Sequence, residues 1–179
     1  TVTLERVTAA TADYFLVTYT FTDGDDLDTR TSVLSPTGYG TTVGFALSTS
    51  IAGAGITWGG DNTGTGVESV LFTKQDFIDN NAGINTISMD LRAGWYQPSG
   101  SVGFEPAVVT VTSFAGGAME KNGFTWVNPT ADEVFTGFTS TSKIITERIG
   151  DQPSATDMGE RIAIMDLDFV AGTVVYRQE

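Results

Sequence analysis

Two short segments of this chain combine closely spaced oxygen ligands with glycine. The first reads Asp-Gly-Asp-Asp-Leu-Asp-Thr over residues 23–29, and the second reads Trp-Gly-Gly-Asp-Asn-Thr-Gly-Thr-Gly-Val-Glu over residues 58–68. Calcium takes about six to eight oxygen ligands from carboxylates, carbonyls, amides and water. Because ligands at alternate positions of a tight loop can converge on one ion, we predict a calcium site that joins the two segments.

The predicted ligands are divided between the segments. Asp26 and Asp28 supply the alternate spacing in the first segment, and the second segment supplies Asp61, Asn62, Thr63 and Glu68. Glycines at 60, 64 and 66 permit the backbone turns that aim carbonyl oxygens inward. The alternative is that both segments are ordinary hairpin turns, since Asp, Asn, Gly and Thr are common turn residues.

Composition excludes several functional classes. The chain has no Cys and no His, so disulfides, a thiolate metal site, a Ser-His-Asp triad and a conventional zinc centre are all ruled out. A formal charge of −13, from 22 acids against 9 bases, repels phosphate backbones and anionic membranes. We therefore expect no nucleic-acid partner and no membrane partner, whereas cations are favoured.

The length of 179 residues fits one domain spanning residues 1–179, with enough chain to bury a core. No apolar run approaches the roughly 18 residues needed to cross a bilayer, and no signal peptide is evident. The first residue is Thr1 and not Met, which leaves a cleaved leader open.

The apolar pattern has a period of two. Phe15, Val17, Tyr19 and Phe21 alternate with more polar neighbours, as in a strand with one buried face. Many short Thr- and Val-rich segments of this kind predict an all-β fold, a two-sheet antiparallel β-sandwich. The predicted strands are Val2–Thr8, Tyr14–Thr22, Thr29–Leu34, Thr42–Leu47, Gly55–Trp58, Val67–Thr73, Thr86–Ala93, Ala107–Phe114, Phe124–Val127, Val134–Phe138, Ser142–Arg148, Arg161–Asp168 and Thr173–Arg177. One short helix is predicted at Lys74–Asp79, with Thr73 as N-cap and Asp76 placed as its capping-box partner.

The order of the candidate ligands resembles a known family. Asp26-Leu27-Asp28-Thr29, then Gly59-Gly60-Asp61-Asn62-Thr63-Gly64, then Glu68 is similar to the calcium-binding β-sandwich family of TerD-like tellurite-resistance proteins. The resemblance covers residues 23–91 and implies a calcium-binding sandwich, with a cytoplasmic stress protein as one functional reading. The family has further aspartates before its glutamate, whereas this chain has Thr65-Gly66-Val67, which favours one ion here over two.

The overall texture also resembles structural proteins of tailed-phage particles. The chain is acidic, has neither Cys nor His, and is rich in Thr and Gly. We therefore expect a non-catalytic virion component, a capsid decoration or tail protein with loops pinned by calcium. Its expected partners are other virion proteins or copies of itself.

Two further readings stay open. Trp95, Tyr96, Trp126 and Tyr39 could form a sugar-stacking platform, which would make the protein an extracellular, calcium-dependent adhesin that binds host-surface glycans, although most such rings belong to cores or interfaces. Catalysis by a carboxylate pair would need Glu105 with Asp132 or Glu133, or Asp166 with Asp168, at a suitable separation. We expect these acids to be surface residues, and we predict that the protein is not an enzyme.

Overall fold

The computed structural model describes residues 3–8, 11–21, 26–64, 66–96, 106–139, 143–145, 148–149 and 158–178. Residues 23–25 of the first predicted metal segment and Thr65 of the second lie outside this description, as does Glu105. The elements in chain order are β1 (Thr3–Thr8), β2 (Tyr14–Phe21), β3 (Leu27–Ser35), β4 (Thr42–Gly44), β5 (Ser50–Ile51), β6 (Ile56–Trp58), β7 (Gly66–Thr73), α1 (Lys74–Asn80), β8 (Thr86–Tyr96), β9 (Pro106–Ala115), β10 (Glu120–Asn122), β11 (Thr125–Val127), β12 (Glu133–Thr139), β13 (Lys143–Ile144), β14 (Arg148–Ile149), β15 (Glu160–Asp168) and β16 (Thr173–Gln178).

Within the described residues, the strands form two large sheets packed face to face. The first sheet has the order β1-β16-β15-β8-β3-β4, with β14 pairing with β8 in parallel. The second sheet has the order β12-β9-β2-β7-β6-β5, and β13 pairs with β9. Neighbours along both orders are antiparallel. The predicted all-β, two-sheet sandwich is confirmed.

The core lies between the sheets and follows the predicted alternation. Phe15, Val17, Tyr19 and Phe21 of β2 are each at most 2% exposed, and they join the main cluster of buried apolar side chains. Successive side chains of a strand point to opposite faces, so the intervening Leu16 lies on the outer face of the second sheet.

A two-stranded hairpin of β10 and β11 covers part of that outer face. A second apolar cluster forms between the hairpin and the sheet, from Trp126 of the hairpin and from Leu16, Leu71 and Phe114 of the sheet. The Ser69 hydroxyl donates to the carbonyl of Phe124 at 2.7 Å. A Cβ added to Gly59 would lie 2.1 Å from that same carbonyl oxygen. The hairpin is therefore seated where the chain leaves β6.

The predicted helix is present, but its cap differs from the prediction. Thr73 stands at the N-cap without a side-chain cap hydrogen bond. A capping box needs the N-cap N–H for its acidic partner, and here the Thr73 N–H donates to the carbonyl of Gly55 at 2.8 Å. The capping box with Asp76 was wrong for this reason. No helix among the described residues has the length and apolar character needed to cross a membrane.

Candidate metal centre

The first two predicted ligands lie where β3 begins. Asp26 immediately precedes the strand, and its carbonyl accepts a hydrogen bond from the Tyr96 N–H at 2.9 Å. Asp28 lies within β3, opposite Gly94 of β8. Residues two apart in an extended chain share a side, so the two carboxylates lie together at this end of the first sheet.

The third acid comes from the connection between β6 and β7, in the second sheet. The Gly59 N–H donates to the carbonyl of Ser69 at 2.8 Å and so closes the base of the connection. Further along, Asn62 Nδ2 donates to the carbonyl of Val67 at 3.3 Å. Gly66 has a φ of +148°, and a Cβ there would lie 2.7 Å from Asn62 Nδ2. This turn therefore requires glycine, and it holds Asp61 against the first sheet.

Asp26, Asp28 and Asp61 converge to form an acidic cluster. One carboxylate oxygen from each lies within 4.8 Å of the others. Asp28 is only 1% exposed, and neither of its carboxylate oxygens has a hydrogen-bond partner among the described residues. Asp61 Oδ1 is also buried without such a partner. Buried polar atoms are satisfied in the great majority of cases, so these three oxygens require an explanation.

The electrostatics of the acidic cluster disfavour ionised carboxylates that have no bound cation. Burial, followed by the charges of Asp26 and Asp61, raises the pKa of Asp28 to about 7, although Arg30 acts in the opposite direction. Burial also raises the pKa of Asp61. Without a cation, the cluster is therefore a site of repulsion and lost hydration.

Glu68 occupies a different place from the one predicted. It is fully buried and is not a member of the acidic cluster. Two oxygens bound to one calcium ion at about 2.4 Å can be at most about 4.8 Å apart, so Glu68 does not share one ion with all three aspartates. The Glu68 carboxylate is instead bound by protein donors, and its role as a metal ligand stays a prediction.

Those donors come from both sheets. Glu68 Oε2 accepts from the Thr29 N–H at 3.0 Å and the Thr29 hydroxyl at 2.5 Å, and the Trp58 indole N–H approaches it at 3.4 Å. Glu68 Oε1 accepts from the Asn62 N–H at 3.1 Å. Burial raises the pKa of Glu68 to about 8, while the bonds from Thr29 and Asn62 lower it and Asp28 raises it.

The other two predicted ligands lie beside the acidic cluster in sequence. Asn62 uses its backbone N–H for Glu68 and its side-chain nitrogen for Val67. Thr63 is exposed. Their oxygens stay predicted ligands, and the described contacts engage neither residue with the acidic cluster.

The aromatic residues do not form one sugar-binding platform. Trp95 is 1% exposed and donates its indole N–H to the carbonyl of Ile145 at 2.9 Å. Trp126 is buried in the cluster under the hairpin, on the other face of the second sheet. Tyr96 is half-buried and meets Phe45 edge to face, with ring centroids 6.2 Å apart. Trp95 and Trp126 as stacking rings were therefore wrong, because packing covers their faces.

Tyr39, Asp166 and Asp168, which were also candidates, have local hydrogen-bond partners. The Tyr39 hydroxyl lies 2.7 Å from the carbonyl of Gly53, to which it donates. Asp166 accepts hydrogen bonds from Ser88 and from Arg177, whose Nε lies 2.8 Å away. Asp168 Oδ1 accepts two backbone N–H groups in the turn that follows β15. These two acids stabilise the outer face and end of the first sheet.

Sequence reasoning missed the contact between Glu68, Thr29 and Trp58. One signal was available, since Glu68 is in phase with the apolar Val70 and Phe72 along β7. That phase places Glu68 on the inner face, where a carboxylate must find donors.

Comparison of the chain with protein-family models, curated proteins and solved structures finds no match. The resemblance to TerD-like proteins therefore stays a prediction that depends on residues 23–91.

Proposed function

We propose that this protein is a non-catalytic structural module that binds one calcium ion between Asp26, Asp28 and Asp61. The observation that supports it best is Asp28, because a carboxylate that is 1% exposed has two oxygens without hydrogen-bond partners among the described residues. A bound cation would give both oxygens of Asp28 a binding partner. It would also cancel the repulsion from the other two carboxylates.

The donor set favours calcium over other divalent metals. The chain contains no Cys or His, which are the usual zinc ligands. Magnesium requires near-ideal octahedral geometry and keeps several waters, whereas calcium accepts irregular shells of carboxylates and carbonyls. Asn62, Thr63, backbone carbonyls and water are the candidates for the remaining positions.

The ion would join the two sheets. Asp26 and Asp28 belong to the start of β3 in the first sheet, and Asp61 follows β6 in the second sheet. An ion that binds only the folded protein stabilises it by about 2.7 kcal/mol at a free concentration of about 100 times Kd. Calcium would therefore hold closed the end of the sandwich where the acidic cluster lies.

Calorimetric calcium titration and thermal unfolding test this proposal. We expect one calcium ion per chain, a melting temperature that falls when a chelator is added, and loss of both effects in Asp28→Asn. Glu133→Gln is the matched control, since it removes one exposed acid three strands from β7 in the second sheet. An unchanged melting temperature with chelator, or normal binding by Asp28→Asn, would overturn the proposal.

We further propose that the module serves in a tailed-phage particle. Support comes from the composition and from three apolar side chains between 40% and 54% exposed, namely Phe124, Val127 and Val134. Val134 lies opposite Phe114, so it shares the outer face with the hairpin that carries Phe124 and Val127. Exposed apolar groups that cluster on one face are typical of interaction surfaces.

Assembly is the property that tests this role. We expect sedimentation to detect oligomers, or the protein to co-purify with particles, and both should weaken when Phe124 and Val134 are replaced by Ser. A calcium-binding monomer that associates with no particle would favour the cytoplasmic stress protein instead.

A further inference from the structure

A single carboxylate holds the backbone on both sides of the acidic cluster. Glu68 Oε2 accepts from the N–H of Thr29, at 3.0 Å, and Thr29 directly follows Asp28. Glu68 Oε1 accepts from the N–H of Asn62, at 3.1 Å, and Asn62 directly follows Asp61. The two oxygens of one rigid group thus fix the spacing between the backbone that carries Asp28 and the backbone that carries Asp61.

The orientation of that carboxylate is itself fixed. The Thr29 hydroxyl donates to Oε2 at 2.5 Å. The Trp58 indole N–H lies 3.2 Å from the Thr29 hydroxyl oxygen and 3.4 Å from Oε2. Since Glu68 and Trp58 are buried, neither side chain can exchange these contacts for water without opening the sandwich.

Building on the proposed function, we propose that Glu68 is a positioning residue for the cation and not one of its ligands. It sets the separation of Asp28 and Asp61 through backbone N–H groups and so prepares the acidic cluster before the ion arrives. Outer-shell partners of this kind typically change metal affinity by about 10- to 100-fold when they are removed. A comparable loss is expected here.

Glu68→Gln is the main variant, because it keeps the size of the side chain but leaves only one oxygen acceptor. Either the Thr29 side or the Asn62 side must then lose its bond. Thr29→Val is the second variant, since it removes the hydroxyl donor and keeps the Thr29 N–H. Both are compared with wild type, with the proposed ligand variant Asp61→Ala, and with Glu133→Gln as control.

Terbium and europium are suitable probes, because these luminescent ions replace calcium. Affinity is measured by titration, and the number of waters on bound europium is obtained from its luminescence lifetime in H2O and in D2O. We expect Glu68→Gln to weaken terbium binding about 10- to 100-fold with an unchanged water number. Thr29→Val should weaken binding by a smaller factor, and Asp61→Ala, which has no ligand oxygen in its side chain, should weaken binding and add water to the ion.

The outcomes separate the two proposals. Extra water on the ion in Glu68→Gln would make Glu68 a ligand, and unchanged affinity would remove its positioning role; either result overturns the inference while leaving the cation site intact. If Glu68→Gln does not fold, unchanged affinity in Thr29→Val overturns the inference. Wild-type protein that binds neither terbium nor calcium overturns the proposed function itself, and the positioning role with it.

Discussion

Asp28→Asn should have opposite effects on stability with and without calcium. The pKa of Asp28 is about 7 in the folded protein against an ordinary value of 3.8. The folded state therefore holds a proton more tightly than the unfolded state, and the unfolding free energy of the metal-free protein falls as pH rises between these values. At 1.36 kcal/mol per pKa unit, ionisation of Asp28 lowers the unfolding free energy by about 4 kcal/mol above about pH 7 and by about 2 kcal/mol at about pH 5, relative to the protonated carboxyl.

Asparagine removes that cost because it is never ionised. Its amide is then buried without a known partner, which costs about 1–3 kcal/mol. In chelator at about pH 8 the variant should therefore be about 1–3 kcal/mol more stable than wild type, and this advantage should shrink by about 2 kcal/mol at about pH 5. In excess calcium the order reverses, since wild type alone gains about 4.1 kcal/mol at about 1,000 times Kd.

Urea unfolding of wild type, Asp28→Asn and Glu133→Gln, in chelator and in calcium at both pH values, measures these differences. Arg30 provides the competing explanation, because its charge lowers the pKa of Asp28. If the attraction between Arg30 and Asp28 dominated, Asp28→Asn in chelator would be less stable than wild type, and the loss would be greater at the higher pH. That result would refute the account of Asp28 as an unfavourable buried anion.

Three further outcomes follow from the same contacts. The rise in melting temperature on adding calcium should be larger at about pH 8 than at about pH 5. Below the Asp28 pKa of about 7, the ion must displace the proton that this carboxyl holds. Equal rises at the two pH values, measured by scanning fluorimetry, would contradict this prediction. Gly59→Ala should lower the free energy of unfolding, measured in urea, by about 1–3 kcal/mol, because its Cβ would lie 2.1 Å from the carbonyl oxygen of Phe124. Gly64→Ala is the control and should be nearly neutral, because the space around Gly64 is open. Trp95→Ala should cost about 3–5 kcal/mol of stability, and a variant as stable as wild type would show that the ring is not a core residue.

The sandwich was predictable because its strands carry a local signal. In β2 the alternation of Phe15, Val17, Tyr19 and Phe21 identifies the inward face without any knowledge of the partner strands. The short strands β5 and β10 were missed, since two or three residues do not establish a period. The predicted strand 142–148 is represented in the described residues by β13 and β14, which pair with different sheets.

The acidic cluster was partly predictable for a similar reason. Asp26 and Asp28 are local to one segment, and Asp61 lies in a glycine-rich connection that reads as a ligand loop. The misplaced rings of Trp95 and Trp126 show the limit of composition, because the same amphipathic side chain serves a core or a ligand site. Which of these it serves depends on what packs against the ring, and Trp126 of the hairpin packs against Leu16, Leu71 and Phe114, of which two lie far from it in sequence.

Glu68 shows why the hydrogen bonds next to the acidic cluster could not be predicted from the sequence. Its ligand-like position after a glycine-rich turn favoured a direct metal contact, while its phase with Val70 and Phe72 favoured burial. Burial of a carboxylate is unfavourable unless donors satisfy it, and those donors, Thr29 and Trp58, are 39 and 10 residues away along the chain. Only the packing of β3 against the β6–β7 end brings them together, so the distinction between ligand and positioning residue is a property of the tertiary structure.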